Sequence, residues 1–270
     1  MQLSQSRLKE ITQRYMNKNV EAIILVGSYA RNTAKPESDI DITIYQNDLK
    51  NSVEIQREQF EGCQLSISRT TIEDHASLSN PTKAVWSVDY LRTAKPLYDP
   101  NGSFATLQNK AHTFEWKSIQ VAANVAASHK LEKYTEEVIK IVGGLKEKDD
   151  FTTLNALSWL YMGLPMVIAL QKGIFLINES SFFKQILTAL GEESNWSRYF
   201  LFVTGIKTFS SPYTPIQTRG IAGLYLYKET ESIIKKFITP EDQTNIDEAL
   251  KLIDEQLEET NIHFISKITL

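Results

Sequence analysis

Cysteine is almost absent from this sequence: Cys63 is the single one in 270 residues. One thiol cannot form an internal disulfide or a multi-cysteine metal cluster, so the fold must be held by a hydrophobic core. The lack of a disulfide framework suits a reducing compartment. Because the first ten residues carry charges and no apolar run, we also expect no secretory signal and predict a cytoplasmic protein.

Long hydrophobic runs are also missing. The most apolar stretch, residues 154–170, is interrupted by Asn155, Ser158 and Pro165. It is shorter than the roughly 20 residues that a membrane span requires. We therefore predict a buried helix in this stretch and no association with a membrane.

The chain lacks a basic surplus, since 29 Lys and Arg residues face 33 Asp and Glu residues, for a net charge of -4. General nucleic-acid binding is usually accompanied by a positive surplus, so we expect a small-molecule partner rather than nucleic acid. The histidines are scattered without metal-binding spacing, so no zinc site is predicted. Hydrophobic residues make up 42% of the chain, which can supply a globular core.

The first hundred residues alternate short apolar runs with turns. Apolar residues near helical spacing from Leu3 to Tyr15 predict an opening helix. Residues 21–26 are apolar and rich in β-branched side chains up to Gly27, which predicts a buried strand. Ser28 then stands where a helix N-cap would.

A second strand is predicted over residues 39–44, because apolar and polar side chains alternate there. Its apolar face carries Ile40, Ile42 and Ile44. Its polar face carries Asp39, Asp41 and Thr43. A further strand is predicted from about residue 60 to 68, and a short helix over residues 71–78.

The pattern changes to helices after about residue 105. Helices are predicted over residues 117–142, 154–172, 181–190, 221–237 and 240–258, separated by Gly143-Gly144, Gly173, Gly191 and Pro240. Strands followed by a run of helices predict an α+β fold. We place a domain with a mixed β-sheet at residues 1–110 and an α-helical domain at residues 111–270.

Two carboxylates on one strand face are the first chemical feature. Asp39 and Asp41 are two residues apart, so their side chains point to the same side and repel each other when both are ionised. A hard cation such as Mg²⁺ relieves that repulsion and leaves room for phosphate oxygens. Upstream, Gly27 permits close approach of the backbone to a ligand, and Ser28 offers hydrogen-bond donors to a phosphate.

Together, Gly27-Ser-Tyr-Ala-Arg31 and Ser38-Asp-Ile-Asp41 resemble the signature of the polymerase-beta-like nucleotidyltransferase superfamily. The chain length and the helical second half resemble the antibiotic nucleotidyltransferases, which adenylylate aminoglycosides or lincosamides. The resemblance implies that Gly27 and Ser28 hold a triphosphate, and that Asp39 and Asp41 bind Mg²⁺ and are catalytic. Arg31 is a candidate phosphate contact, with a surface ion pair as the alternative.

The family's third carboxylate, on the next strand, has no counterpart. If Leu65 and Ile67 face the core, the opposite face carries no acid, and Gln64 or Ser66 stands where Asp or Glu is expected. A glutamine amide cannot take up a proton as a base. A base from the helical domain or from a partner subunit, and a loss of catalysis, all stay open.

The leading hypothesis is a Mg²⁺-dependent enzyme that transfers a nucleoside monophosphate to a small-molecule hydroxyl. The resemblance implies AMP from ATP as the transferred group and an aminoglycoside- or lincosamide-like antibiotic as acceptor, bound by the helical domain. One alternative is a catalytically impaired nucleotide-binding relative, and another is a nucleotidyltransferase that modifies protein or RNA. The oligomeric state stays open. A homodimer would be unsurprising because closed twofold assemblies are common.

Overall fold

A computed structural model of the chain describes residues 3–47, 49, 54–208 and 212–260. Its fold is α+β, as predicted from the sequence: a mixed sheet within residues 20–98 is followed by a helical region. By packing, these residues group into two compact units. The first runs to Ile119 and includes Phe175–Phe182; the second comprises Gln120–Ile174 and the chain from Phe183 onward.

The sheet has five strands in the described part of the chain: β1 (Val20–Val26), β2 (Ile40–Gln46), β3 (Glu54–Phe60), β4 (Cys63–Thr70) and β5 (Lys95–Tyr98). Their order is β3-β4-β2-β1-β5. Strands β2 and β4 run parallel, and the other neighbouring pairs are antiparallel. The pairing register places Asp41 beside Ser66 and Ser66 beside Arg57, so these three side chains share one face.

The helices of the first unit are α1 (Gln5–Tyr15), α2 (Gly27–Ala30), α3 (Ile72–Ala76), α4 (Pro81–Thr93) and α5 (Ser103–Thr113). Those that follow are α6 (Gln120–Lys133), α7 (Thr135–Glu147), α8 (Asp150–Lys172), α9 (Phe182–Leu190), α10 (Asn195–Val203), α11 (Pro215–Ile234) and α12 (Pro240–Thr260). The domain boundary near residue 110 stays a prediction. Helix α5 packs against the sheet.

Both faces of the sheet are covered by apolar side chains. On one face, Ile40, Ile42 and Ile44 pack with Ile11 of α1 in a single buried cluster. On the other face, Tyr45 joins buried residues of α4 and α5. Burial of one large aliphatic side chain stabilises a fold by roughly 1.5–3 kcal/mol. The central strand β2 is therefore packed on both faces. Asp39 and Asp41, at its beginning, are only partly buried.

The strand predicted from residue 60 to 68 corresponds to β4, which forms a hairpin with β3. Phe60 ends β3 and Cys63 begins β4, and the turn residues Glu61 and Gly62 both have positive φ, of 45° and 80°. Positive φ at both positions is the backbone that a two-residue hairpin loop requires. Strand β3 escaped prediction because its sequence, EIQREQF, is mostly polar, as is common for a strand at a sheet edge.

Several helix predictions were wrong in detail. The helix predicted over residues 117–142 is interrupted at Tyr134, whose ring lies directly on Gly163 of α8. The pair Gly143-Gly144 does not end a helix, because α7 continues to Glu147. Helices α4, α5 and α10 were not predicted, since their apolar residues follow the helical period weakly or over few turns.

Helix α8 spans the predicted buried stretch, but one of its faces is exposed. Trp159 is 63% exposed and Met162 is 56% exposed, while residues such as Leu160 and Leu164 are fully buried. Among the described helices, α8 alone has the length and composition to cross a membrane, and 67% of its most apolar window is buried in the protein. A core helix meets the same criteria, so this is weak evidence for a span.

We predict opposite effects for alanine at two neighbouring glycines of α7. A Cβ at Gly144 would overlap Thr153 Oγ1 and lie 3.0 Å from the Thr153 backbone nitrogen, so Gly144→Ala should cost about 1–3 kcal/mol of stability. A Cβ at Gly143 meets nothing within 4 Å, so Gly143→Ala should stabilise the helix by about 0.5–1 kcal/mol. Urea unfolding midpoints measure both, and equal effects would contradict this packing of α7 against α8.

Candidate functional site

A cavity of about 820 Å³ opens over the β2–β4–β3 face of the sheet. Its floor is a row of paired residues from three strands, Asp41, Ser66 and Arg57, with Thr43 and Ser68 one pleat further along. Everything that lines it belongs to the first compact unit. The carboxylate strand therefore forms the centre of an open pocket with small or positively charged neighbours on one side.

The turn between β1 and α2 brings a glycine backbone against a carboxylate. Gly27 has φ of 68°, and a Cβ at this position would overlap Asp41 Oδ2. Glycine is the residue that combines this left-handed conformation with so close an approach. Ser28 is the second residue of α2 rather than its N-cap, which is Val26. Since α2 has four residues, individual N–H groups rather than a helix dipole are its donors.

The loop after α2 folds back on itself and returns the chain to the cavity. The Thr33 N–H donates to the Ser28 carbonyl at 2.9 Å, and the Lys35 N–H donates to Ser38 Oγ at 2.9 Å. These bonds set the turn that leads into Asp39. Arg31, Lys35 and Ser38 line the cavity from this loop.

The ionised form of the Asp41 carboxyl is disfavoured in the protein without a bound cation. Burial, above all, and the nearby charge of Asp39 together raise the pKa of its carboxyl to about 7, although the Arg31 charge acts to lower it. The pKa of Asp89 in α4 is also raised by burial and lowered by Arg31. The Arg31 guanidinium therefore lies close enough to influence two buried carboxyls.

A buried polar network supports β2 on the cavity face, where Thr43 and Tyr90 line the cavity. The Thr43 and Tyr90 hydroxyls are hydrogen-bonded, and the Tyr90 ring lies edge-on to His75 with centroids 5.4 Å apart. The Tyr45 hydroxyl bonds to His75 Nδ1 at 2.8 Å. Burial lowers the pKa of His75 to about 4, so this histidine is neutral near pH 7. This network ties α3 and α4 to β2 next to Asp41.

One wall comes from a distant segment that sequence reasoning did not assign to the site. The Leu176 N–H donates to the Val85 carbonyl at 2.8 Å, and Phe182 packs near Trp86 with ring centroids 6.5 Å apart. This segment adds Asn178 and Glu179 to the cavity. The segment lies more than a hundred residues after Asp41 in the sequence, and no motif in it indicates a role.

The structure brings most of the predicted site residues together. The cavity is lined by Gly27, Ser28, Arg31, Asp39, Asp41 and Ser66. Gln64 is exposed and does not line the cavity. Ser66 therefore occupies the floor position beside Asp41, and Glu179 is the remaining carboxylate on the walls among the described residues.

The donor set fits a hard divalent cation. In the described residues, no three His, Cys, Asp or Glu side chains converge as a metal site. Mg²⁺ is nevertheless commonly held by one or two carboxylates, with water and substrate phosphates completing its shell. Asp39 and Asp41 supply two carboxylates. Burial and the charge of Asp39 raise the pKa of Asp41, and such an ion would favour its ionised form.

Comparison with known proteins finds a family likeness within the first unit. Residues 6–99 match the family model described as Polymerase beta, Nucleotidyltransferase. The chain carries a nucleotidyltransferase-like domain. This stretch contains the Gly27–Ser28 turn, both aspartates and all five described strands of the sheet. No curated protein matches the chain.

A solved structure extends the likeness in fold beyond that stretch. The 1.90 Å crystal structure of a nucleotidyltransferase-like protein from Exiguobacterium sibiricum 255-15 superposes with a TM-score of 0.53. The match covers 94% of this chain and 89% of that chain, at 11% sequence identity. Identity at this level shows the fold alone. The resemblance to antibiotic nucleotidyltransferases stays a prediction.

We predict that stability falls with rising pH when divalent cations are removed by a chelator. The pKa of Asp41 is about 7 in the folded protein and about 3.9 when unfolded, so the folded state binds more protons between these values. The unfolding free energy should therefore fall from about pH 4 to pH 7, by at most about 4 kcal/mol, and then level off.

Asp41→Asn should remove this dependence and raise the thermal midpoint of the metal-free protein at pH 8. Glu37→Gln, which changes an exposed carboxylate of the same loop, is the matched control and should leave the pH profile as it is. A wild-type profile retained in Asp41→Asn would contradict the assignment.

Proposed function

We propose that this protein is a divalent-metal-dependent nucleotidyltransferase. It binds a nucleoside triphosphate in the cavity and transfers the nucleoside monophosphate to a hydroxyl of a small acceptor, releasing pyrophosphate. The observation that carries the proposal is the contact of the Gly27 backbone with the Asp41 carboxylate, which unites a phosphate-binding turn and a carboxylate pair in one cavity. ATP is the donor that we propose first, from the family resemblance.

The triphosphate would lie on the Gly27–Ser28 side of the cavity. Ser28 offers a hydroxyl and a backbone N–H, and Arg31 and Lys35 supply positive charge from the following loop. Asp39 and Asp41 would hold Mg²⁺. When bound, this ion neutralises the carboxylates and the charge that develops on the phosphate oxygens.

The acceptor would enter from the opposite side. Displacement at the α-phosphorus is in line, so the attacking hydroxyl and the leaving pyrophosphate lie on opposite sides of the phosphorus. If the pyrophosphate lies at the Gly27–Ser28 turn, the hydroxyl lies over β4, next to Ser66. Glu179 on the facing wall is the carboxylate that we propose as the acceptor of the hydroxyl proton.

An antibiotic acceptor, a substrate-binding role for the helical unit, a cytoplasmic location and a homodimer stay predictions. The same holds for a nucleotidyltransferase that modifies protein or RNA.

A second candidate is a nucleotide-binding protein that has lost catalysis. It is favoured by Ser66, which pairs with Asp41 in the register and has a hydroxyl where the resemblance implies a carboxylate. A serine hydroxyl has no basicity near pH 7 and cannot share the charge of a metal ion as a carboxylate does.

We predict that substitution of both aspartates abolishes metal-dependent nucleotide binding. Calorimetric titration with a non-hydrolysable ATP analogue should show binding that requires Mg²⁺ and disappears in Asp39→Asn/Asp41→Asn, because no carboxylate then remains to hold the ion. Glu37→Gln, on the same loop and outside the cavity, should bind like the wild type. Equal binding by the double variant, or binding that ignores Mg²⁺, would refute the proposed site.

Replacement of Ser66 separates the two candidates. Ser66→Asp places a third carboxylate beside Asp41, so it should raise pyrophosphate release from Mg²⁺·ATP at least tenfold if catalysis has been lost through this position. Measurable release by the unmodified protein, reduced by Ser66→Asp, would exclude the impaired relative. Ser68→Asp, one pleat further from Asp41, is the matched control.

A further inference from the structure

We infer that the acceptor carries an anionic group, a phosphate or a carboxylate, and that Arg57 binds it. This inference rests on the proposed function, since it concerns the acceptor side of the same cavity. It concerns a charge that the sequence motif does not contain, because Arg57 lies on β3, the strand that sequence analysis did not find.

The position of Arg57 follows from the sheet register. Asp41 pairs with Ser66 across β2 and β4, and Ser66 pairs with Arg57 across β4 and β3. Neighbouring strands are roughly 4.8 Å apart, so the Arg57 backbone lies about 10 Å from that of Asp41 on the same face. The long arginine side chain can span most of that distance over the small Ser66 side chain, and all three residues line the cavity.

Arg57 lies on the acceptor side of the metal-binding aspartates. Arg31 and Lys35 follow the Gly27–Ser28 turn and serve the triphosphate in the proposed arrangement. Arg57 stands beyond β4, in the direction from which in-line attack brings the hydroxyl. A cation in this place meets the acceptor rather than the leaving pyrophosphate.

Arg57 is exposed, and its side chain differs from those of most arginines in the chain in its hydrogen-bond partners. Most arginines in the chain donate to an acceptor within the protein, for example Arg14 to Glu58 at 2.7 Å and Arg92 to the Ala111 carbonyl at 2.8 Å. Among the described residues, the side chains of Arg31 and Arg57 make no hydrogen bond or ion pair, and both residues line the cavity.

The two faces of β3 also differ in whether their side chains have hydrogen-bond partners. On the face away from the cavity, Glu58 accepts from Arg14 and Tyr15, and Gln56 accepts from Arg69 at 3.0 Å. On the cavity face, Arg57 has no described partner. Glu179, on the facing wall, makes no ion pair with it in the described structure. The guanidinium is thus left with its donors free in a space that the acceptor would fill.

The chemistry of the guanidinium defines the ligand class. Its planar donors match the two oxygens of a carboxylate or phosphate. The neighbouring Ser66 and Ser68 hydroxyls can donate to the same oxygens. A cationic acceptor such as an aminoglycoside would be repelled here, so this inference and the antibiotic prediction differ in the sign of the acceptor's charge.

Inorganic phosphate is the probe that tests this inference. The protein is first saturated with Mg²⁺ and a non-hydrolysable ATP analogue, so that the donor side is occupied. Phosphate is then titrated while the side-chain Nε–H signal of Arg57, identified by its loss in Arg57→Gln, is followed by NMR. We expect a saturable shift of this signal and phosphate affinity at least tenfold weaker in Arg57→Gln.

Matched variants control for charge and folding. Arg69→Gln removes an arginine from the adjacent strand on the opposite face and should keep the wild-type phosphate affinity. Arg57→Lys keeps the charge without the planar fork and should bind more tightly than Arg57→Gln. Glycerol 3-phosphate should bind at least tenfold more tightly than glycerol, and Arg57→Gln should remove that preference.

The outcomes separate this inference from the proposed function. Failure of the Mg²⁺·analogue to bind at all would overturn the proposed function and this inference with it. Normal analogue binding without a saturable phosphate shift, or with equal affinity in Arg57→Gln, would overturn the role of Arg57 alone.

Discussion

The close approach of the Gly27 backbone to the Asp41 carboxylate is the constraint on which the rest of the site depends. It requires the left-handed glycine at the end of β1, the antiparallel pairing of β1 with β2, and a loop short enough to return at Asp39. With these in place, the Gly27–Ser28 turn and the carboxylates of Asp39 and Asp41 face one cavity. A side chain at residue 27 would separate them, because any Cβ overlaps Asp41 Oδ2.

That arrangement places the Asp41 carboxylate in a partly buried position next to the negative charge of Asp39. Burial and the neighbouring Asp39 raise the pKa of Asp41 to about 7, so the stability of the ligand-free protein falls as the pH rises from about 4 to 7. The apolar clusters on both faces of the sheet hold β2 in place against this repulsion. In the proposed metal complex, a divalent cation would offset this repulsion.

The sequence was informative where local pattern and structure coincide. The alternation from Asp39 to Ile44 predicts a strand with both carboxylates on one face. The described strand begins at Ile40, and both Asp39, directly before it, and Asp41, within it, line the cavity. It was uninformative where position depends on distant pairing. The polar edge strand β3 shows no apolar period, so Arg57 could not be placed beside Ser66. Glu179 reaches the cavity through contacts of residues 175–182 with α4, which no local signal records.

The most direct test of the central claim is the titration of the Asp41 carboxyl carbon by NMR, with and without Mg²⁺ and a non-hydrolysable ATP analogue. The account predicts a midpoint near 7 for the free protein, and a fall to below the ordinary value of about 4 when the complex forms, because the cation favours the ionised carboxylate. A midpoint that stays near 7 in the presence of both would contradict a metal–nucleotide site at Asp41.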